Sequence, residues 1–164
     1  MSKSLNIGAI ALALTFASGS NIAPLTVGTM ASAAQGNIPG SPRDVEAIQQ
    51  IVTTFDETWG SDAVTYAAQY GSVIDWVGPT GVILNDPAAI TGLYTFLFNN
   101  VFGGTTRIST IRNLTFLTGT VAVLDIDTQV FRTTIPIAHA LEKNVLIKRE
   151  GEWRILLHQQ TLVQ

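Results

Sequence analysis

Downstream of residue 40 the spacing of apolar positions changes period more than once. Val45, Ile48, Ile51, Val52, Phe55 and Trp59 recur at helical intervals and predict one amphipathic helix with a single apolar stripe. Three signals mark its start. Ser41 can cap it, Pro42 suits the first helical position, and Asp44 stands three residues after Ser41 as the acid of a capping box. Gly60 stops the helix. Ser61 or Asp62 then caps a second, short helix through Ala63, Tyr66, Ala67 and Tyr70, ended by Gly71. Residues 73–77 read as a strand, Gly78-Pro79-Thr80-Gly81 as a turn, and residues 82–84 as a short return strand. Asp86-Pro87 repeats the cap-plus-proline signal before a third helix carrying Ile90, Leu93, Tyr94, Leu97, Phe98 and Val101, which Gly103-Gly104 closes.

The rest of the chain has the period of a strand. Residues 106–117 and 121–132 predict two long strands joined around Thr118-Gly119-Thr120. A loop with Pro136 and His139 leads to a third strand at 141–148, and Glu150-Gly151 turns into a last strand at 153–163. Helices followed by a meander of antiparallel strands predict an α+β domain, with the helices on one face of a bent sheet.

Alternation assigns the faces. Ala122, Leu124, Ile126, Thr128 and Val130 should meet the helices, and Val121, Val123, Asp125, Asp127 and Gln129 should face away. In the last strand Trp153, Ile155 and Leu157 share the inner face, continued by Gln159 and Thr161; Arg154, Leu156, His158, Gln160 and Leu162 take the outer one. The inner face therefore turns polar at Gln159 and Thr161, where a buried amide needs partners in backbone, water or a ligand. Leu156, Leu162, Val121 and Val123 leave the outer face partly apolar. Two readings of that face stand: a partner subunit, or scattered surface aliphatics.

Residues 1–34 read as a secretory signal, with Lys3 at its start, a short apolar stretch over residues 7–17 and a small-x-small cleavage site at Ala31-Ser32-Ala33. Residues 35–40 read as a linker and residues 41–164 as the domain, so the expected location is outside the cytoplasm, periplasmic or secreted. The apolar stretch, about 11 residues, falls short of the roughly 20 that span a bilayer, so no stable membrane anchor is expected. The net charge is −3, with 9 basic and 12 acidic residues, and losing Lys3 makes it one unit more negative. The cations are scattered, with no stripe to follow a phosphate backbone, so no nucleic-acid partner is expected. Cysteine is absent. The domain must then be held by its own core, and thiol catalysis and Cys-ligated metal are excluded.

Four stretches carry a resemblance. They are residues 48–59; Asp75-Trp76-Val77 with Gly81 and Ile90; Ile111-Arg112-Asn113-Leu114-Thr115-Phe116-Leu117 with Val121-Ala122-Val123; and Lys148-Arg149-Glu150-Gly151-Glu152-Trp153-Arg154-Ile155 with the closing Gln159-Gln160-Thr161. In order and spacing they resemble the NTF2-like superfamily, its SnoaL-like domains and most of all the SgcJ/EcaC family. The resemblance implies a cystatin-like cone: three N-terminal helices packed on a strongly bent antiparallel sheet, a deep pocket between them, and commonly a homodimer. It implies no single chemistry, because relatives on this fold include isomerases, cyclases, dehydratases, carriers and assembly modules.

Candidate chemistry is sparse. Asp75 matches a recurrent acid of the family, and a carboxylate beside Trp76 near an apolar cavity can act as a general base. Alternation, however, turns Asp75 away from a core that holds Ile74 and Trp76, which favours a solvated or capping role. His158 near the open end of the sheet can shuttle protons. Relatives carry a pocket histidine one position later, where this chain has Gln159, and alternation turns His158 outward unless a bulge reverses it. Asp125 and Asp127 share a strand face with no third ligand in phase and read as a solvated pair. His139 sits in the predicted loop; with only two, unclustered histidines no metal site is expected. With no dinucleotide fingerprint or flavin motif, no cofactor is expected. Asn113-Leu114-Thr115 is a glycosylation sequon within a strand. Trp76, Tyr94 and Phe98 should line the pocket, with Gln159 and Thr161 orienting a ligand. The expected function is an exported domain that binds a small apolar or weakly polar organic molecule and pairs as a homodimer through the outer sheet face. The alternatives are a cofactor-free lyase or isomerase with Asp75 or His158 as base, and a dimeric structural module without turnover.

Overall fold

The computed structural model describes residues 40–163. The expected signal segment and all but the last residue of the expected linker lie outside the described residues. Among the described residues no helix is long and apolar enough to cross a membrane.

Helix α1 is Pro42–Thr58, and its start follows the cap signals. The Asp44 amide donates to Ser41 Oγ at 3.2 Å, and the Ser41 hydroxyl donates to Asp44 Oδ2 at 2.7 Å. Gly60, at φ +70°, ends the turn after α1, where a Cβ would meet the Phe102 carbonyl oxygen at 2.6 Å. Helix α2 is Ala63–Ala67, with Asp62 accepting from the Thr65 amide. Helix α3 is Pro87–Asn100, capped by Asp86.

The strands are β1 (Tyr70–Val77), β2 (Ile83–Leu84), β3 (Thr105–Thr118), β4 (Val121–Arg132), β5 (Ile135–Arg149) and β6 (Glu152–Leu162). They form one sheet in the order β2-β1-β6-β5-β4-β3. All neighbours are antiparallel except β1 and β6, which run parallel. The α+β class and the three-helix order agree with the hydrophobic pattern. Two boundaries do not. Gly71 is not a helix stop but the second residue of β1. The predicted loop at Pro136 and His139 is the first part of β5. Pro136 is tolerated there because β6 reaches only as far as Ala140, so the missing N–H falls on a free edge.

The core lies between α1, α2, α3 and one face of the sheet, with Ile48, Phe55, Ile90, Leu124, Leu146 and Ile155 wholly buried. Trp153 faces the helices, as alternation predicts, with its ring edge-on to Phe116 at 5.8 Å. Its indole N–H donates to Asp44 Oδ1 at 2.9 Å, and Lys148 Nζ donates to the same oxygen at 2.7 Å. One carboxylate thus ties the first turn of α1 to the β5–β6 hairpin.

Hydrogen bonds from Lys148, Trp153 and Ser41 hold the Asp44 carboxyl well below the usual carboxylate range. A depressed folded-state value means that the unfolded chain binds the proton first. This contribution to stability is therefore complete above the ordinary carboxylate pKa and is lost as pH falls below it. Asp44→Asn should flatten the stability–pH curve below about pH 4 and leave its shape above pH 5 unchanged, as read by urea midpoints across that range.

Candidate functional site

The inner face of the sheet is not uniformly apolar. Residues of β3, β4, β5 and β6 bring Arg107, Thr128, Glu142, Asn144 and His158 into the interior, each at most 4% exposed. Sequence alternation places Thr128 there but misses the others. A register count from the β4–β5 hairpin would have found two of them, since Ile126 faces Glu142 and Leu124 faces Asn144 across the strands.

His158 is inward because β6 carries a bulge. Val145 pairs with Leu157 and Leu146 with Ile155, so Leu156 is an extra residue without a cross-strand partner. Beyond it the alternation is inverted. The expected faces of the end of β6 are therefore corrected: His158 is inside at 1% exposure, and Gln159 and Thr161 are exposed on the outer face. The inner amides are Asn144 and Gln160, whose Nε2 donates to Glu142 Oε1 at 3.4 Å. Gln159 and Thr161 instead border an outer concavity of about 590 Å³ together with Arg112, Asp125 and Lys143. Asp75 is exposed on the outer face opposite Leu157, as alternation expects, and so has no access to the interior.

Trp76, His158 and Asn144 form a transverse row on β1, β6 and β5, directly opposite one another. The Trp76 and His158 rings stack at 5.7 Å and 14°. His158 Nδ1 and Asn144 Oδ1 are hydrogen-bonded at 2.8 Å. Tyr70 meets the imidazole edge-on at 5.7 Å, and Tyr94 meets the Trp76 indole edge-on at 6.2 Å. The Tyr70 and Tyr94 hydroxyls are 3.4 Å apart. Three buried atoms of the row have no hydrogen-bond partner among the described residues: Trp76 Nε1, Asn144 Nδ2 and His158 Nε2. Gly78 packs against the same indole, where a Cβ would meet the ring at 2.6 Å. Phe98 stands further in, against Trp59, Tyr66 and Tyr94.

Next to this row lies a closed ionic network. Arg107 Nη2 donates to both oxygens of Glu142 at 3.1 and 3.2 Å, and its Nε lies 3.3 Å from Asp56 Oδ1 and donates to Ser109 at 3.1 Å. Its Nη1 donates to the Tyr66 hydroxyl. Phe55, Trp59 and Tyr66 present their rings to the guanidinium at 5.1, 5.6 and 5.7 Å.

Burial pushes the His158 imidazole down to about 4; nearby Glu142 opposes this and Arg107 reinforces it. At neutral pH the ring is uncharged. Burial also pushes the Tyr66, Tyr70 and Tyr94 phenols above their ordinary value, so they too stay neutral. On the outer face, His139 Nε2 lies 2.8 Å from Asp127 Oδ1, and Lys143 pairs with Asp125. The two aspartates therefore have separate basic partners and do not form a joint site. Among the described residues no group of three His, Cys, Asp or Glu side chains could hold a metal ion.

No protein-family model matches the chain, and no curated protein matches it by sequence. Solved structures do match in shape. A domain of unknown function with a cystatin-like fold from Nostoc punctiforme superposes with a TM-score of 0.70 at 19% identity, over 76% of this chain and 80% of that one. An NTF2-like protein of unknown function from Shewanella baltica gives a TM-score of 0.59 at 20% identity, over 77% and 98%. A hexachlorocyclohexane dehydrochlorinase (LinA) of type 2 gives 0.59 at 16% identity, over 74% and 86%. Residues 40–163 thus have the NTF2-like, cystatin-like fold that the four sequence stretches resemble.

Proposed function

We propose that this domain binds a small, uncharged organic molecule inside the cone, against the row Trp76–His158–Asn144. One observation carries this reading: three adjacent side chains of that row bury polar atoms without partners among aromatic rings. Leaving each such group unsatisfied costs about 1–3 kcal/mol, and native interiors pair nearly all of theirs. A bound molecule reached by local opening of the cone supplies the partners. Trp76 and Tyr94 wall it and Phe98 backs them; Gln159 and Thr161 have no part in it. The likeness to SgcJ/EcaC proteins supports a pocket in this place. Lys3, the apolar stretch after it and Ala31-Ser32-Ala33 support action after export. The exposed Ile108 and Leu117 support a homodimer through the outer sheet face; Leu162, in phase with His158 beyond the bulge, does not belong to that face.

A second reading is acid–base turnover. The dehydrochlorinase neighbour shows that the fold can host an enzyme, and the bare Nε2 of His158 favours a proton acceptor. A base held near pKa 4 is weak, however, and its charged form would be desolvated beside Arg107, so binding is the better supported of the two. Native mass spectrometry of the purified chain tests the proposal. The expected spectrum shows a non-covalent adduct of small mass that Trp76→Ala abolishes. A bare polypeptide mass, or an adduct that survives Trp76→Ala, counts against it.

A further inference from the structure

The chemistry of the row narrows the ligand, given the binding site proposed above. His158 Nδ1 and Asn144 Oδ1 are partners. If the imidazole proton is on Nδ1, it donates to the amide oxygen; Nε2 is then a free acceptor and the amide nitrogen a free donor. If the amide is turned over, its nitrogen donates to Nδ1; Nε2–H is then a free donor and the amide oxygen a free acceptor. Either way the pair offers one acceptor and at least one donor. The Trp76 indole adds a donor in both cases. A complementary group must both give and accept a hydrogen bond.

Charge narrows it further. The nearest buried charges are already matched, because Arg107 donates to both oxygens of Glu142, Gln160 adds a third bond to that carboxylate, and the remaining guanidinium nitrogens are held by Asp56, Ser109 and Tyr66. Among the described residues beside the row, no cation is left for a carboxylate or phosphate, and no anion for an amine. A charged ligand would be desolvated without compensation. The walls are the rings of Trp76, Tyr70 and Tyr94, which suit flat carbon frames.

We propose that the row recognises the hydroxyl of a neutral aromatic or alicyclic alcohol. The hydroxyl accepts from the Trp76 indole and exchanges a second bond with the His158–Asn144 pair, while its carbon frame lies among the rings.

Three probes of one shape test this on the 15N-labelled full chain: benzyl alcohol, toluene and benzoate. The readout is the Trp76 indole N–H resonance, assigned by its loss in Trp76→Phe. Benzyl alcohol should shift it and bind on the order of ten- to a hundredfold more tightly than toluene, the ratio expected for one or two hydrogen bonds. Benzoate should leave it unmoved. In His158→Phe, which keeps a ring in the stack, the preference for alcohol over toluene should fall to within a few-fold while toluene still binds. Asn144→Leu serves the same purpose should His158→Phe fail to fold. Toluene or benzoate binding as tightly as the alcohol overturns the hydroxyl assignment but leaves a binding site in place. If no probe moves the Trp76 signal, the hydroxyl assignment is overturned, and the native mass measurement decides separately whether the cone binds anything else.

Discussion

Arg107→Met is expected to destabilise the domain by about 3–5 kcal/mol, because it strands a buried carboxylate. Arg107 and Glu142 are 2% and 4% exposed. Burial alone would lower the guanidinium pKa, but Glu142, Tyr66 and Asp56 outweigh that and raise it, so the arginine stays charged throughout. Methionine would fill much of the volume between Phe55, Trp59 and Tyr66 but donate nothing. Glu142 would keep only the 3.4 Å bond from Gln160, and the Tyr66 hydroxyl and Thr128 would lose a donor. Adding Glu142→Met should recover most of the loss, since an apolar pair of similar volume often equals or exceeds a buried ion pair in stability. Urea unfolding of the two single variants and the double variant measures this. An Arg107→Met variant within about 1 kcal/mol of the parent would show that Glu142 does not depend on its partner, and would refute the network as described.

The second large effect is with acid. His158 titrates near 4 in the fold and near the ordinary imidazole value of about 6.5 when unfolded. Between these values the unfolded chain binds a proton that the native chain refuses, so stability rises with pH there and falls as pH drops. The loss from pH 6.5 to pH 4 should be about 3 kcal/mol, roughly 1.4 kcal/mol for each unit of the depression. His158→Phe should remove that slope, whatever it does to absolute stability. Because the Asp44 effect sets in only below the carboxylate range, the two groups separate on one acid titration. An unchanged urea midpoint from pH 7 to pH 4.5 in the parent protein would contradict the buried, neutral imidazole.

The fold was legible because its signals agreed across levels. Ser41-Pro42 and Asp86-Pro87 fixed two helix starts, and the period-2 run of β4 fixed which side of the sheet meets the helices. The end of β6 was not legible. Leu156-Leu157 carries no glycine or proline to mark a bulge, and two successive leucines fit either register. One extra residue there exchanged Gln159 and Thr161 for His158 and turned the candidate site over. Arg107, Glu142 and Asn144 were missed for another reason. Pattern reading takes charged and amide residues as outward, and only their mutual bonding, brought about by strands distant in sequence, makes their burial tolerable. Pro136 misled in the same local way, since an edge position that spares a proline is visible only once the neighbouring strand's end is known.

The parallel contact of β1 with β6 bears on how the chain is made. The strand that joins the early hairpin to the later meander, β6, is made after all five other described strands and lies between β1 and β5. Until it emerges, β1 has only the two-residue β2 beside it, and Trp76 has no imidazole to cover it. Such long-range closure is slow and leaves apolar surface uncovered in the nascent chain. Deleting residues 152–162 would therefore cost far more than one strand: it would leave the front and back of the sheet unconnected.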